Sequence, residues 1–326
     1  MISVHIHWLI PCEFKNISEV HQINLASIRL RAGVVVQAME NKGESISLGE
    51  VIHDNTEVCV VGKIGGLDTS NKHTNWIRQL REFKGKIILD FTDDHLNYIS
   101  GMTAFYRECL ELADVVVCSS ESLQRVVSQF FSGPIHVIAD AIECPILPPK
   151  SRIHQPLTLL WFGHATNIKA LADFIPQIQS PEPLRIIVVS NQQGLQLLGS
   201  APIQVQCPIE IQGRIWSQEA TIEASKESDI CIIPAELQST RKSGVSANRL
   251  LTSMALGLPT CADKIDSYLP FKPYYADLRT SEFNEMLIDP LSWNFKIQEA
   301  QNSICNAFSF HSIGEQWMNI LTGNVV

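Results

Sequence analysis

A chain of 326 residues is long enough for two α/β domains, since one domain usually takes ~100–200 residues. Hydrophobic residues make up 45% and charged residues 18%, which excludes a disordered chain. A net charge of −9 without a long lysine or arginine run lacks the phosphate-neutralising surface of a polynucleotide binder, so no nucleic-acid partner is expected. A small phosphorylated ligand is compatible with that total, because a pocket depends on its own few charges.

In the first half, short apolar runs predict strands at Ile2–Ile10, Glu57–Val61, Lys86–Asp90, Val115–Ser119 and Ile135–Ala139. Helical stretches lie between them, at Ile28–Asn41 before Gly43, Thr103–Leu112 and Ser120–Phe130. Glu143–Pro156 carries four prolines and reads as a connector. A second series places strands at Thr158–Phe162, Leu184–Ser190, Ile209–Gln212, Asp229–Pro234 and Leu258–Ala262, with helices at Asn167–Ile178, Ser217–Glu227 and Ser246–Gly257. A last amphipathic stretch runs over Asn294–Leu321. Continuous Val/Ile runs fit strands buried on both faces of a parallel sheet, and ligands of such sheets sit beyond the carboxyl ends of the strands.

The nine cysteines are scattered, with neither a Cys-x-x-Cys pair nor a zinc-ligand spacing, and read as reduced buried thiols. Met1–Trp8 lacks the charged-then-apolar layout of a signal peptide. A cytoplasmic protein is therefore expected. No apolar run approaches the ~20 residues that span a bilayer, which leaves peripheral membrane contact at most.

The strongest motif runs from Ser228-Asp229-Ile230-Cys231-Ile232-Ile233-Pro234, through a loop of small and polar residues, to Asn248–Thr260 with Ala255-Leu256-Gly257-Leu258-Pro259 at its end. It resembles the donor-binding region of glycosyltransferase family 4 and its GT-B relatives. Three other segments agree in order: Ala26–Arg31, Ala113–Leu123 and Leu159–Lys169. The resemblance implies two facing Rossmann-like domains with a cleft between them. It assigns 1–145 to the acceptor side, 157–305 to the nucleotide-sugar donor side, and 306–326 to a helix returning to the first domain. It also implies transfer of a sugar from a nucleoside-diphosphate sugar to a glycan, lipid-linked or small-molecule acceptor, with retention, no cofactor and no metal. One departure is plain. Aligning the family's "EAmAcGtP" puts Thr252 where the ribose-binding glutamate stands, and Gly244 where the sugar-contacting glutamate stands. A nucleotide-sugar epimerase of the same fold and a catalytically silent nucleotide-sugar-binding or scaffold protein are the alternatives.

A departing diphosphate needs positive charge and N–H donors. Arg241, Lys242, Ser243, Asn248 and Arg249 supply them around one helix start, although Arg241 and Lys242 also read as a solvated loop. Gly163 lets backbone approach a ligand, and His164, Asn167 and Lys169 line the same turn, Asn167 also being a candidate N-cap. Asp93, Asp94 and His95, after Asp90 at a strand end, are candidates for orienting acceptor hydroxyls or for capping the next helix. Arg29 and Arg31 near the first helix start are candidates for an acidic acceptor or for surface ion pairs.

Overall fold

The computed structural model describes residues 4–23, 25–64, 70–97, 100–237 and 244–323. The chain divides into two compact units, Met1–Ala141 with Ser243–Ser246 and Phe308–Val326, and Ile142–Lys242 with Ala247–Ala307.

The first unit holds strands β1 (Ile6–Leu9), β2 (Ile46–Gly49), β3 (Val58–Val61), β4 (Lys86–Phe91), β5 (Val115–Cys118) and β6 (Ile135–Val137). All pairings are parallel, in the order β2-β1-β3-β4-β5-β6. Runs such as Val58-Cys59-Val60-Val61 and Val115-Val116-Val117-Cys118 are buried throughout because helices cover both faces. These helices are α1 (Ala26–Arg29), α2 (Ala32–Asn41), α3 (Ser70–Glu82), α4 (Thr103–Leu112) and α5 (Glu121–Val127). Where one helix was expected over Ile28–Asn41, the chain breaks at Leu30–Arg31, and the side chain of Arg31 turns inward there.

In the second unit the strands are β7 (Leu157–Phe162), β8 (Leu184–Ser190), β9 (Ile209–Ile215), β10 (Ile230–Ile233), β11 (Thr260–Ala262) and β12 (Ala276–Asp277), again parallel, in the order β12-β11-β10-β7-β8-β9. Helices α6 (Ile168–Phe174), α7 (Gln192–Ser200), α8 (Gln218–Lys226), α9 (Asn248–Ala255), α10 (Ser281–Ile288) and α11 (Asn294–Ala300) accompany it. The amphipathic stretch over Asn294–Leu321 is α11, a π turn at Gln301–Cys305, and a separate helix α12 (Phe310–Leu321).

Helix α12 belongs to the first unit. It begins at Ser309, whose hydroxyl accepts the Ser312 N–H at 3.2 Å, and buries Ile313, Trp317, Met318 and Leu321 in the core beside β1 and α2. Gly314 makes the approach to α2 close: a methyl there would sit 3.0 Å from the Ala38 Cβ. Trp317 meets Trp8 edge-on with centroids 4.9 Å apart.

Within the second unit, α9 ends at Gly257, with φ of +73°. A Cβ at this position would lie 2.3 Å from the Pro148 carbonyl oxygen, and Leu147 N–H donates to the Ala255 carbonyl at 2.7 Å. The glycine thus serves both the left-handed turn and the close passage of the connector. Gly257→Ala is expected to destabilise by about 1–3 kcal/mol, the range for a residue forced into a sparsely populated conformation. Urea unfolding checks this, and an unchanged midpoint would show that the connector does not pack against the turn.

Candidate functional site

A doubly wound sheet opens a crevice where neighbouring strands send their connections to opposite sides. In the second unit that point lies between β7 and β10, which are adjacent in the sheet but not in sequence. The groups at the carboxyl ends of these strands are Gly163 after β7 and Pro234–Ala235 after β10, followed in sequence by the start of α9.

The structure brings Gly163 and Arg249 together here. A methyl on Gly163 would sit 3.0 Å from the Trp161 ring and 3.5 Å from Arg249 Nη1. Arg249 is half-buried and hydrogen-bonded to the Tyr268 hydroxyl, and burial pushes the neighbouring Cys231 thiol up to about 12, with the Arg249 charge offsetting part of that rise. Its Nη1 is buried and has no hydrogen-bond partner among the described residues. A guanidinium N–H in that state is able to donate a charge-assisted hydrogen bond to an anion. The adjoining α9 N-terminus is preceded by Ala247, which has no side-chain oxygen to cap the helix amides. Asn248 is half-buried at the first helical position.

The turn after β7 is held from β8. Ser190 Oγ donates to the Gly163 carbonyl at 2.8 Å, and Asn191 Oδ1 accepts from Ala165 N–H at 3.0 Å and Gly194 N–H at 3.3 Å, capping α7. His164 is exposed in this turn: its Nδ1 accepts the Thr166 N–H at 3.3 Å and its Nε2 lies 3.4 Å from Asn191 Nδ2. Asn167 is half-buried at the start of α6 and makes no side-chain cap there.

On the other side of the crevice, buried Asp263 follows β11. Its Oδ2 accepts the Ala235 N–H at 2.7 Å, and Arg279 grips both its oxygens at 2.7 and 2.9 Å. Arg279 also lies 5.1 Å from the Phe174 ring centroid. Asp263 and Arg279 therefore fix the loops after β10 and β11. Ser190, Asn191, Asp263 and Arg279 escaped the sequence reading, although Asn191 and Asp263 are polar residues directly after predicted buried strands.

Two expected donor contacts are corrected. Lys169 is 71% exposed on α6 and pairs with Asp173 one turn on at 2.5 Å, so its charge is spent on the helix surface. Thr252 is buried within α9, facing the protein interior. Arg241, Lys242 and Ser243 lie outside the described residues. Gly244, in the first unit, accepts the Ser120 Oγ–H at 2.7 Å through its carbonyl, and Leu123 packs where a side chain would start.

In the first unit, the candidates separate by role. Asp94 Oδ1 accepts the N–H groups of Leu96 at 3.0 Å and Asn97 at 2.9 Å, which makes it the structural cap of that pair. His95 is buried, stacked on Tyr106 with centroids 4.7 Å apart, and its Nδ1 faces Ser100 Oγ at 3.3 Å. Its placement corrects the expectation of an acceptor-facing imidazole. Asp93 is half-buried at the carboxyl end of β4, paired with Lys63 from the end of β3. Lys63 also went unnoticed in the sequence.

Both arginines near the first helix are buried, which corrects their assignment to the acceptor. Arg29 Nη1 donates to the Ile23 carbonyl at 2.5 Å and ties down the preceding loop. Arg31 is wholly enclosed. It donates from Nε and Nη2 to Asp90 Oδ1 at 3.0 and 2.6 Å, donates from Nη1 to the Ile138 carbonyl, lies 3.6 Å from Asp140, and stacks 4.8 Å over Trp317. Burial opposes its charge, but Asp90 and Asp140 outweigh it and hold the guanidinium above its usual value. Burial likewise pushes the Asp90 carboxyl up, with Arg31 pulling it back.

No known protein family and no curated protein matches the chain, so the family 4 resemblance rests on its motifs. Solved structures do match. An α-glucosyltransferase in complex with UDP and a 13-mer DNA aligns over 98% of this chain and all of its own, with TM-score 0.64 and 10% identity. The Anabaena protein HepE in complex with UDP aligns over 98% of this chain and all of its own, at 0.59 and 11%. A lipopolysaccharide outer core galactosyltransferase, WaaB, covers 99% of this chain and all of its own, at 0.54 and 13%. With a DNA complex among these neighbours, the expected absence of a nucleic-acid partner gains no support. Among the described residues no helix is long and apolar enough to cross a membrane. Two six-stranded parallel sheets, matched along nearly the whole chain by these structures, identify the fold as GT-B.

Proposed function

We propose that this protein is a glycosyltransferase that takes a sugar from a nucleoside-diphosphate sugar and passes it to a hydroxyl-bearing acceptor. The observation that carries the reading is the buried Nη1 of Arg249 beside Gly163, without a hydrogen-bond partner among the described residues, at the switch point of the second sheet. Charge accumulates on the diphosphate as the glycosidic bond breaks, and a preoriented guanidinium with helix N–H groups stabilises it without rearranging. Asn248, Arg249 and the Gly163–His164 turn are the proposed donor contacts, with Arg241, Lys242 and Ser243 added from the sequence. The first unit is the proposed acceptor side, where Asp93 and Lys63 stand at adjoining strand ends. Similarity to UDP complexes supports a nucleotide-sugar donor. A cytoplasmic location is part of the proposal, supported by nine cysteines that are all unbonded.

Gly244 and Thr252 in place of carboxylates favour one second reading, a protein that binds nucleotide sugars without turning them over. Thermal-shift screening against UDP, GDP, ADP, CMP and their sugars, followed by product analysis with the donor found, separates the two. A nucleotide at ~100 times its dissociation constant is expected to add ~2.7 kcal/mol of stability. Released nucleoside diphosphate and a glycosylated acceptor, undiminished by EDTA, are the expected products. Binding without turnover over a broad acceptor panel would favour the silent reading, and no stabilisation by any nucleotide would reject both.

A further inference from the structure

Strand β9 stands apart from the other strands. It closes one edge of the second sheet, and most of its residues are exposed, including Ile211 at 37% and Ile215 at 54%. Pairing with β8 uses only half its backbone groups. Leu184 N–H donates to the Pro208 carbonyl and Trp216 N–H to the Ser190 carbonyl, and Leu184 stands opposite Ile209. In this parallel register the even-numbered residues bond to β8, while Ile209, Ile211, Gly213 and Ile215 direct their N–H and C=O groups to the open edge. The strand carries no lysine or proline, the residues with which exposed edges usually discourage pairing.

We infer that β9 is the interface of a two-fold homodimer, pairing antiparallel with β9 of a second copy about an axis through Gln212. The sequence of the strand, Ile-Glu-Ile-Gln-Gly-Arg-Ile, is complementary to its own reverse. With Gln212 at the centre, Glu210 stands opposite Arg214 of the other copy, Ile209 opposite Ile215, and Ile211 opposite Gly213. Both hydrogen-bonded pairs, 209 with 215 and 211 with 213, then use residues whose backbone groups face the edge. The faces also match. Leu195 of α7 lies 3.2 Å from a methyl placed on Gly213, so the apolar odd-numbered residues share the α7 side. The charged ones share the opposite side, where Arg214 meets Glu227 at 2.6 Å and Glu210 meets Arg185 at 3.6 Å. A slip by two residues, the smallest that keeps the edge-facing groups opposite one another, would set Gln212 against Glu210 or Arg214 and lose the charge pairs, so the pattern selects one register. An unrelated extended peptide would not have this relation to β9, and for that reason the occupant is a second copy.

Sedimentation equilibrium of the full chain tests the proposal with three variants. Ile211→Pro removes an edge-facing N–H without touching the β8 ladder, and should yield a folded monomer. Glu210→Arg and Arg214→Glu each place like charges opposite one another twice, and each should weaken dimerisation roughly tenfold or more. An equimolar mixture of those two variants restores opposite charges at both positions and should form a heterodimer. That result survives even if the proline variant fails to fold. A wild-type chain that stays monomeric up to its solubility limit would overturn the proposal. So would a dimer indifferent to these changes, or a mixture that remains monomeric.

Discussion

Arg249→Ala is expected to weaken binding of a nucleoside diphosphate roughly 10- to 150-fold while leaving the free nucleoside almost unaffected. A charge-assisted hydrogen bond contributes ~1.5–3 kcal/mol, and only the diphosphate offers the anionic partner. The proposed site makes the upper part of that range reasonable, because Nη1 is already buried and pays no further desolvation when the ligand arrives. Isothermal titration with the diphosphate and the nucleoside in parallel reads the effect. Equal losses for both ligands would mean that Arg249 supports the fold of the crevice through Tyr268 and does not contact phosphate. Lys242→Ala carries the same expectation from the sequence alone.

Arg31→Met is expected to destabilise the first unit by about 3–5 kcal/mol, because it leaves Asp90 buried without its counter-charge. Arg31→Met combined with Asp90→Leu should recover most of that loss, since an apolar pair of similar volume avoids the desolvation cost of two ions. Urea unfolding of the two single variants and the double gives the coupling directly. If the double variant is as unstable as the sum of the singles, the ion pair is not what holds the ends of β4 and β6 against α12. The expectation reflects geometry: Arg31 binds Asp90 at the end of β4 and the Ile138 carbonyl after β6, and stacks on Trp317 of α12.

The buried strands were legible because parallel strands covered on both faces need continuous apolar runs, and Val115–Cys118 and Ile230–Ile233 are such runs. Two sheet edges were not. Strand β2 is Ile46-Ser47-Leu48-Gly49, only partly buried, and β12 has two residues, too short for any periodicity. The proximity of Gly163 and Arg249, the proposed donor contacts, was legible, since a glycine after one strand and a cation at a helix start come together at the switch point once the strand order is set. Arg31 was misread because its partner Asp90 lies 59 residues away, and only the fold brings them together. Asp90 was noticed for its place beside Asp93 and Asp94, yet the three carboxylates serve different partners: Arg31, Lys63 and the amides of Leu96 and Asn97. Lys169 illustrates the opposite error. Its partner Asp173 is one helical turn away, and the i,i+4 spacing was present in the sequence.

A crystal structure of the chain with a bound nucleoside diphosphate decides whether the second unit holds the donor at the switch point of its sheet. The diphosphate is expected at the carboxyl ends of β7 and β10, with Arg249 Nη1 and the first N–H groups of α9 within hydrogen-bonding distance and the Gly163 backbone against it. A nucleotide bound in the first unit, or anywhere in the second that leaves Arg249 Nη1 without a partner, would contradict that placement.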